Sequence, residues 1–180
     1  MEFHGCTCCT DLLTHRLDRR RFLATGAAAG LATMLPSLSF ARGKVYDAMV
    51  LSCIDPRLQE PVRRYTRRRN LTGKVSQFVI AGAAVGVVAE PFKDWHKAWW
   101  DNVTTSVELH NIKRVIAINH RNCGAAKIAY GEASVATWKA ETATHKAALA
   151  AFRTQMKERL PKLGVETGLM ALDGRIEMFA

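Results

Sequence analysis

A chain of 180 residues, 48% apolar and 23% charged, has room for one domain with a substantial core. That composition excludes a disordered, fibrous or disulfide-dense protein. The formal net charge of +10 favours anionic surroundings in general and carries no information on fold.

Residues 1–41 read as a targeting segment. Asp18-Arg19-Arg20-Arg21-Phe22-Leu23 is similar to the twin-arginine export pattern, with Arg19 and Arg20 as the pair and Asp18 where Ser or Thr is commoner. The apolar stretch from Phe22 to Ala41 is broken by Pro36 and too weakly apolar to make a good membrane span. Ser39-Phe40-Ala41 places small residues where a signal peptidase reads, so cleavage is expected after Ala41, leaving a domain of residues 42–180. Contact with the export machinery and a periplasmic or otherwise exported location follow as expectations. Three of the five cysteines, Cys6, Cys8 and Cys9, lie in this leader beside His4. By composition they could bind a soft metal, but they read as part of the discarded segment. Cys53 and Cys123 remain.

The rest alternates between strand and helix patterns. Val45–Ser52 is a short apolar run that reads as a buried strand, and Pro56 opens a helix over Arg57–Arg69. Val75–Ala81 is a second strand ending in a small-residue loop through Gly86. Phe92, Trp95, Trp99, Val103, Val107 and His110 recur at helical steps. Arg114–Asn119 is a third strand, and residues 135–159 are rich in good helix formers. Leu169–Leu172 and Ile176–Phe179, around Asp173-Gly174, suggest a terminal hairpin. The pattern predicts an α/β fold, a mostly parallel central sheet flanked by helices.

Two motifs directly follow strands: Cys53-Ile54-Asp55-Pro56-Arg57 and His120-Arg121-Asn122-Cys123-Gly124. In open parallel sheets ligands bind beyond the carboxyl ends of strands. Two thiolates and an imidazole suit zinc, and three protein ligands leave a fourth position open, as catalytic sites require. Asp55 and Arg57, two residues apart, can form a bidentate ion pair that keeps Asp55 ionised and away from the metal. The competing reading is a structural Cys53–Cys123 disulfide in an oxidising compartment.

Cys-x-Asp-x-Arg followed by His-x-x-Cys-Gly resembles the signature of the β-class carbonic anhydrases, over most of the chain from Val45 to Gly174. The resemblance implies Zn2+ held by Cys53, His120 and Cys123, with Asp55 and Arg57 managing the catalytic water. It implies reversible hydration of carbon dioxide to bicarbonate by a zinc-bound hydroxide. Zinc lowers the pKa of bound water from about 15.7 to about 7, a magnitude taken from the all-histidine carbonic anhydrases. It also implies a homodimer or larger homo-oligomer. The alternatives are hydrolysis of carbonyl sulfide or carbon disulfide by the same nucleophile, and a non-catalytic zinc-binding relative. The chain departs from the family pattern in four respects. The separation of Cys53 from His120 is longer, with the excess at Val88–Asn102. Ile80-Ala81-Gly82-Ala83 replaces an Arg-Asn-Ala-Gly loop. Asn119 stands before His120 where Gly is usual. The helical arm that embraces a partner subunit is absent from the sequence after Ala41.

His96, His110 and His145 have no partner motif and read as surface or helix-packing residues, with His96 a candidate proton shuttle. Trp95, Trp99 and Trp100 read as core or subunit interface before substrate platform. The basic run Arg63, Arg64, Arg67, Arg68 and Arg69 reads as a solvated helix face, and no nucleic-acid partner is expected.

Overall fold

In the computed structural model, residues 46–179 are described; the predicted leader and its cleavage point lie outside them. A five-stranded sheet runs in the order β2-β1-β3-β4-β5. Its strands are β1 (Ala48–Ser52), β2 (Val75–Val79), β3 (Arg114–His120), β4 (Gly164–Met170) and β5 (Ile176–Phe179). The first four are parallel, and β5 closes the edge antiparallel to β4. Every residue of β1 is buried, as is all of β3 after Arg114. That explains their unbroken apolar runs, since a central parallel strand is covered on both faces. The edge strand β2 alternates in exposure.

Among the described residues five α-helices flank this sheet: α1 (Pro56–Arg68), α2 (Ala84–Val88), α3 (Lys93–His110), α4 (Gly124–Tyr130) and α5 (Trp138–Arg159). Trp99 of α3 is fully buried, edge-on to Phe78 of β2 at 5.4 Å and tilted against Phe152 of α5 at 5.5 Å. This aromatic cluster joins the two long helices to each other and α3 to the edge strand β2.

The strand and helix order matches the sequence reading, with three local differences. The segment expected to be a loop through Gly86 contains the short helix α2, hidden by its small residues; Gly86 has no Cβ because one would collide with the Ala81 carbonyl oxygen. The helix α4 was not foreseen, since seven residues give too short a window for periodicity. Strand β4 starts at Gly164, earlier than Leu169, because its first residues are partly exposed and polar.

The chain leaves β1 to one side to make β2, then crosses back to make β3 on the other side of β1. The carboxyl ends of β1 and β3 therefore flank a topological switch point, where open α/β sheets form crevices. Among the described residues, no helix is long and apolar enough to cross a membrane.

Candidate metal centre

Cys53 follows the last residue of β1, His120 ends β3, and Cys123 caps the N-terminus of α4. Their ligand atoms all lie within 4.8 Å of one another, and all three residues are buried. Both cysteines are free thiols, so the disulfide reading is not realised. His120 Nδ1 is 2.8 Å from the Arg121 carbonyl oxygen and must be the protonated nitrogen, because a carbonyl only accepts. Its Nε2 is then a buried lone pair with no hydrogen-bond partner. An unpartnered imidazole nitrogen beside two thiols is a donor set that fits a soft divalent cation such as zinc.

The electrostatics agree. The Cys53 thiol is held down to about 4, chiefly by its hydrogen bond with Cys123, with help from His120 and the Asp55 and Gly82 backbone N–H groups. Cys123 is pushed up, chiefly because its thiol shares a hydrogen bond with Cys53, then by burial and by the second negative charge its ionisation would place beside Cys53. A divalent cation removes that penalty.

Asp55 is the N-cap of α1 and accepts a hydrogen bond from the Arg57 N–H at 2.9 Å. The Arg57 side chain donates to both its oxygens, at 3.0 and 2.6 Å, which is the bidentate pair expected from the spacing. That guanidinium holds the carboxyl down to about 2. Asp55 Oδ2 is 4.0 Å from His120 Nε2. Gln59 steadies the segment by donating to the carbonyls of Cys53 and Asp55 at 2.9 and 3.0 Å.

Two residues missed at the sequence level complete the centre. Arg121 is buried against Glu141 at 3.2 Å, and its guanidinium lies 3.5 Å from the centre of the Trp138 ring. The other Glu141 oxygen accepts the Asn122 N–H at 2.5 Å, while Arg57 donates to the Asn122 carbonyl at 3.2 Å. The loop between His120 and Cys123 is thus clamped from both sides at Asn122, whose φ of 59° Asn tolerates better than most residues. Arg121 could have been flagged by its place inside the second motif; nothing in the sequence signals Glu141.

A cleft of about 750 Å3 opens over this centre, lined by Asp55, Arg57, Arg121, Cys123 and Trp138 among others. Trp95, Trp99 and Trp100 do not line it. Trp99 is core, as expected, and Trp95 stacks on Phe92. His96 faces a different cleft, beside Trp100 and Glu158, so it is not placed as a shuttle for this one. His145 is fully buried as a packing residue of α5.

This is the fold of the β-class carbonic anhydrases. A β-carbonic anhydrase from Aspergillus fumigatus superposes with a TM-score of 0.52 at 17% identity, covering 89% of this chain and 86% of that one. A Coccomyxa β-carbonic anhydrase, solved with acetazolamide, also gives 0.52, at 15% identity over 89% and 82% of the two chains. One of two tetrameric Sordaria macrospora enzymes gives 0.50 at 14% identity over 89% and 93%. At those identities the likeness concerns the fold alone. By sequence, residues 44–155 match the family described as "Putative carbonic anhydrase", and the chain belongs to that family. Its relatives include "Uncharacterized protein RC0076" of Rickettsia conorii, 35% identical over 73% of this chain and 70% of the relative. An uncharacterized protein of Rickettsia bellii is also 35% identical, over 73% and 80% of the two chains.

Proposed function

We propose that the protein is a zinc-dependent carbonic anhydrase interconverting carbon dioxide and bicarbonate, with Cys53, His120 and Cys123 holding the metal. The observation that carries this reading is the buried cluster of His120 with two thiols, ligand atoms within 4.8 Å of one another, in which the His120 Nε2 has no hydrogen-bond partner. Zinc at such a centre supplies a water acidic enough to lose its proton near neutral pH.

The chain's own residues do the rest. Asp55, ionised at any physiological pH, accepts a hydrogen bond from the attacking water and aims its lone pair. A carboxylate held at about 2 is too weak a base to remove the proton, so its role is orientation. Arg57 keeps that charge in place and, through Asn122, couples it to the ligand loop. Water oxygen bonds to the carbon of carbon dioxide, one proton leaves to solvent, and bicarbonate departs through the cleft.

The test is zinc content and carbon dioxide hydration measured on one purified sample. About one zinc per chain with turnover is expected. Zinc without hydration across a wide pH range would overturn the activity. Carbonyl sulfide and carbon disulfide belong in the same assay, because the same nucleophile would attack them; turnover of those alone would reassign the substrate.

Two further elements belong to this proposal. The Arg19-Arg20 motif supports export of the chain already folded and loaded, with cleavage after Ala41. A fusion that stays in the cytoplasm irrespective of Arg19-Arg20→Lys-Lys would refute it. Assembly into a homodimer or larger oligomer is supported by the tetrameric relatives from Sordaria macrospora. A monomer by light scattering at assay concentration would refute that.

A further inference from the structure

Two of the departures from the family pattern, Asn119 before His120 and the altered loop at residues 80–83, meet in a single contact. Asn119 Oδ1, at the buried end of β3, accepts the Ala84 N–H at 3.0 Å. That N–H closes a tight turn. Ala83 donates to the Ile80 carbonyl at 3.0 Å and Val85 to the Gly82 carbonyl at 3.0 Å. Ala83 sits at φ 51°, ψ −116°, outside the regions an L-residue favours. Such a conformation persists only where its surroundings over-determine it.

The turn has one output toward the metal centre: the Gly82 N–H, which donates to Cys53 Sγ at 3.2 Å. Gly82 is at φ +79°, and a Cβ there would lie 3.1 Å from the Cβ atoms of both Ala125 and Val85. The N–H is therefore aimed by a backbone packed tightly on both sides.

Asn119 is itself oriented. With Oδ1 committed to a backbone donor, its Nδ2 faces His145 Nδ1 at 3.1 Å and donates to it. The His145 ring must then carry its proton on Nε2, which is buried without a partner. The imidazole is fully enclosed and makes no other hydrogen bond with the described residues, so holding the Asn119 amide is its one polar contact.

We propose that Asn119 and His145 are positioning residues for Cys53: His145 orients the Asn119 amide, Asn119 fixes the 80–84 turn, and the turn aims the Gly82 N–H at the sulfur. This rests on the reading of Cys53 as a metal ligand. The chain runs from α5 through β3 to β1, and its effect is on metal affinity and ligand field, since a hydrogen bond to a thiolate sets its donor strength and direction.

The experiment uses the full chain with zinc alone, in competition with a chromophoric chelator, and with cobalt(II) as a spectroscopic probe of the sulfur–metal bond. Asn119→Leu removes the contact at similar volume. It should weaken zinc binding about 10–100-fold and shift the sulfur-to-cobalt charge-transfer band. His145→Leu should shift the band the same way with a smaller loss, about 3–10-fold, because the Ala84 bond survives. The double variant should lose no more than Asn119→Leu, since the two act in series. Met156→Ala, on the buried face of α5 about three turns beyond His145, lowers stability and should leave band and affinity unchanged. An unshifted band and wild-type affinity in Asn119→Leu would overturn the proposal. If that variant does not fold, an unshifted band in His145→Leu overturns it instead. Wild-type protein that binds neither metal would remove the ligand reading itself, a distinct result that takes this proposal with it.

Discussion

Asp55 Oδ2 lies 4.0 Å from His120 Nε2, and Arg57 holds that same oxygen at 2.6 Å. The carboxylate is near enough to meet a group bound at the centre and is held by a cation on its other side. Asp55→Asn isolates this role, because Asn caps a helix as well as Asp does and the start of α1 should survive. Zinc content should be unchanged and kcat should fall about 100-fold or more. Isothermal metal titration and stopped-flow hydration on the same variant check both halves; undiminished turnover would point to a structural metal.

Asp55 also predicts a pH signature. Its folded-state pKa, about 2, lies below the ordinary 3.8, so its pairing with Arg57 stabilises the folded chain fully above about pH 4. That contribution is lost as pH falls through the window from about 4 to about 2. The Tm difference between the wild type and Asp55→Asn should be constant above pH 5 and shrink across that window, read by thermal melts in a pH series. A difference that persists at pH 2 would mean the pair does not hold Asp55 as described.

The Cys53–His120–Cys123 cluster and the Asp55–Arg57 pair were legible because each residue lies within five residues of a strand end, where short motifs carry their own context. Buried strands announced themselves too: Ala48–Leu51 and Val115–Ile118 are apolar without a break because both faces are covered. What stayed hidden was carried by distance. Glu141 reaches Arg121 and Asn122 from a separate helix, and His145 reaches Asn119 across the same gap. No local pattern encodes such pairings. Spacing placed Trp95 and Trp99 on one helix, where they are, but carried no sign that Trp138 would stand at the cleft.

Glu141 is the more exacting half of its ion pair. Arg121 and Glu141 are both 7% exposed, so removing the carboxylate leaves a buried guanidinium unpaired and the Asn122 N–H without an acceptor. Glu141→Ala should cost about 3–5 kcal/mol in urea denaturation. Trp138→Ala, which removes only the ring over Arg121, should cost about 1 kcal/mol. Equal losses in the two variants would show that packing, not charge pairing, holds the ligand loop.

Trp99 separates core from chemistry. It is fully enclosed between Phe78 and Phe152 and does not line the cleft. Trp99→Phe keeps an aromatic in place and should lower stability by about 1–3 kcal/mol through the space it leaves. Hydration turnover per folded, zinc-loaded molecule should stay within about twofold of wild type at a temperature well below the variant's Tm, because additive effects are expected of sites that share no partner. If turnover or the preference between carbon dioxide and its sulfur analogues changed markedly, the long α3 helix would have to reach the substrate, and the cleft over Asp55 and Cys123 would not be the whole of the binding site.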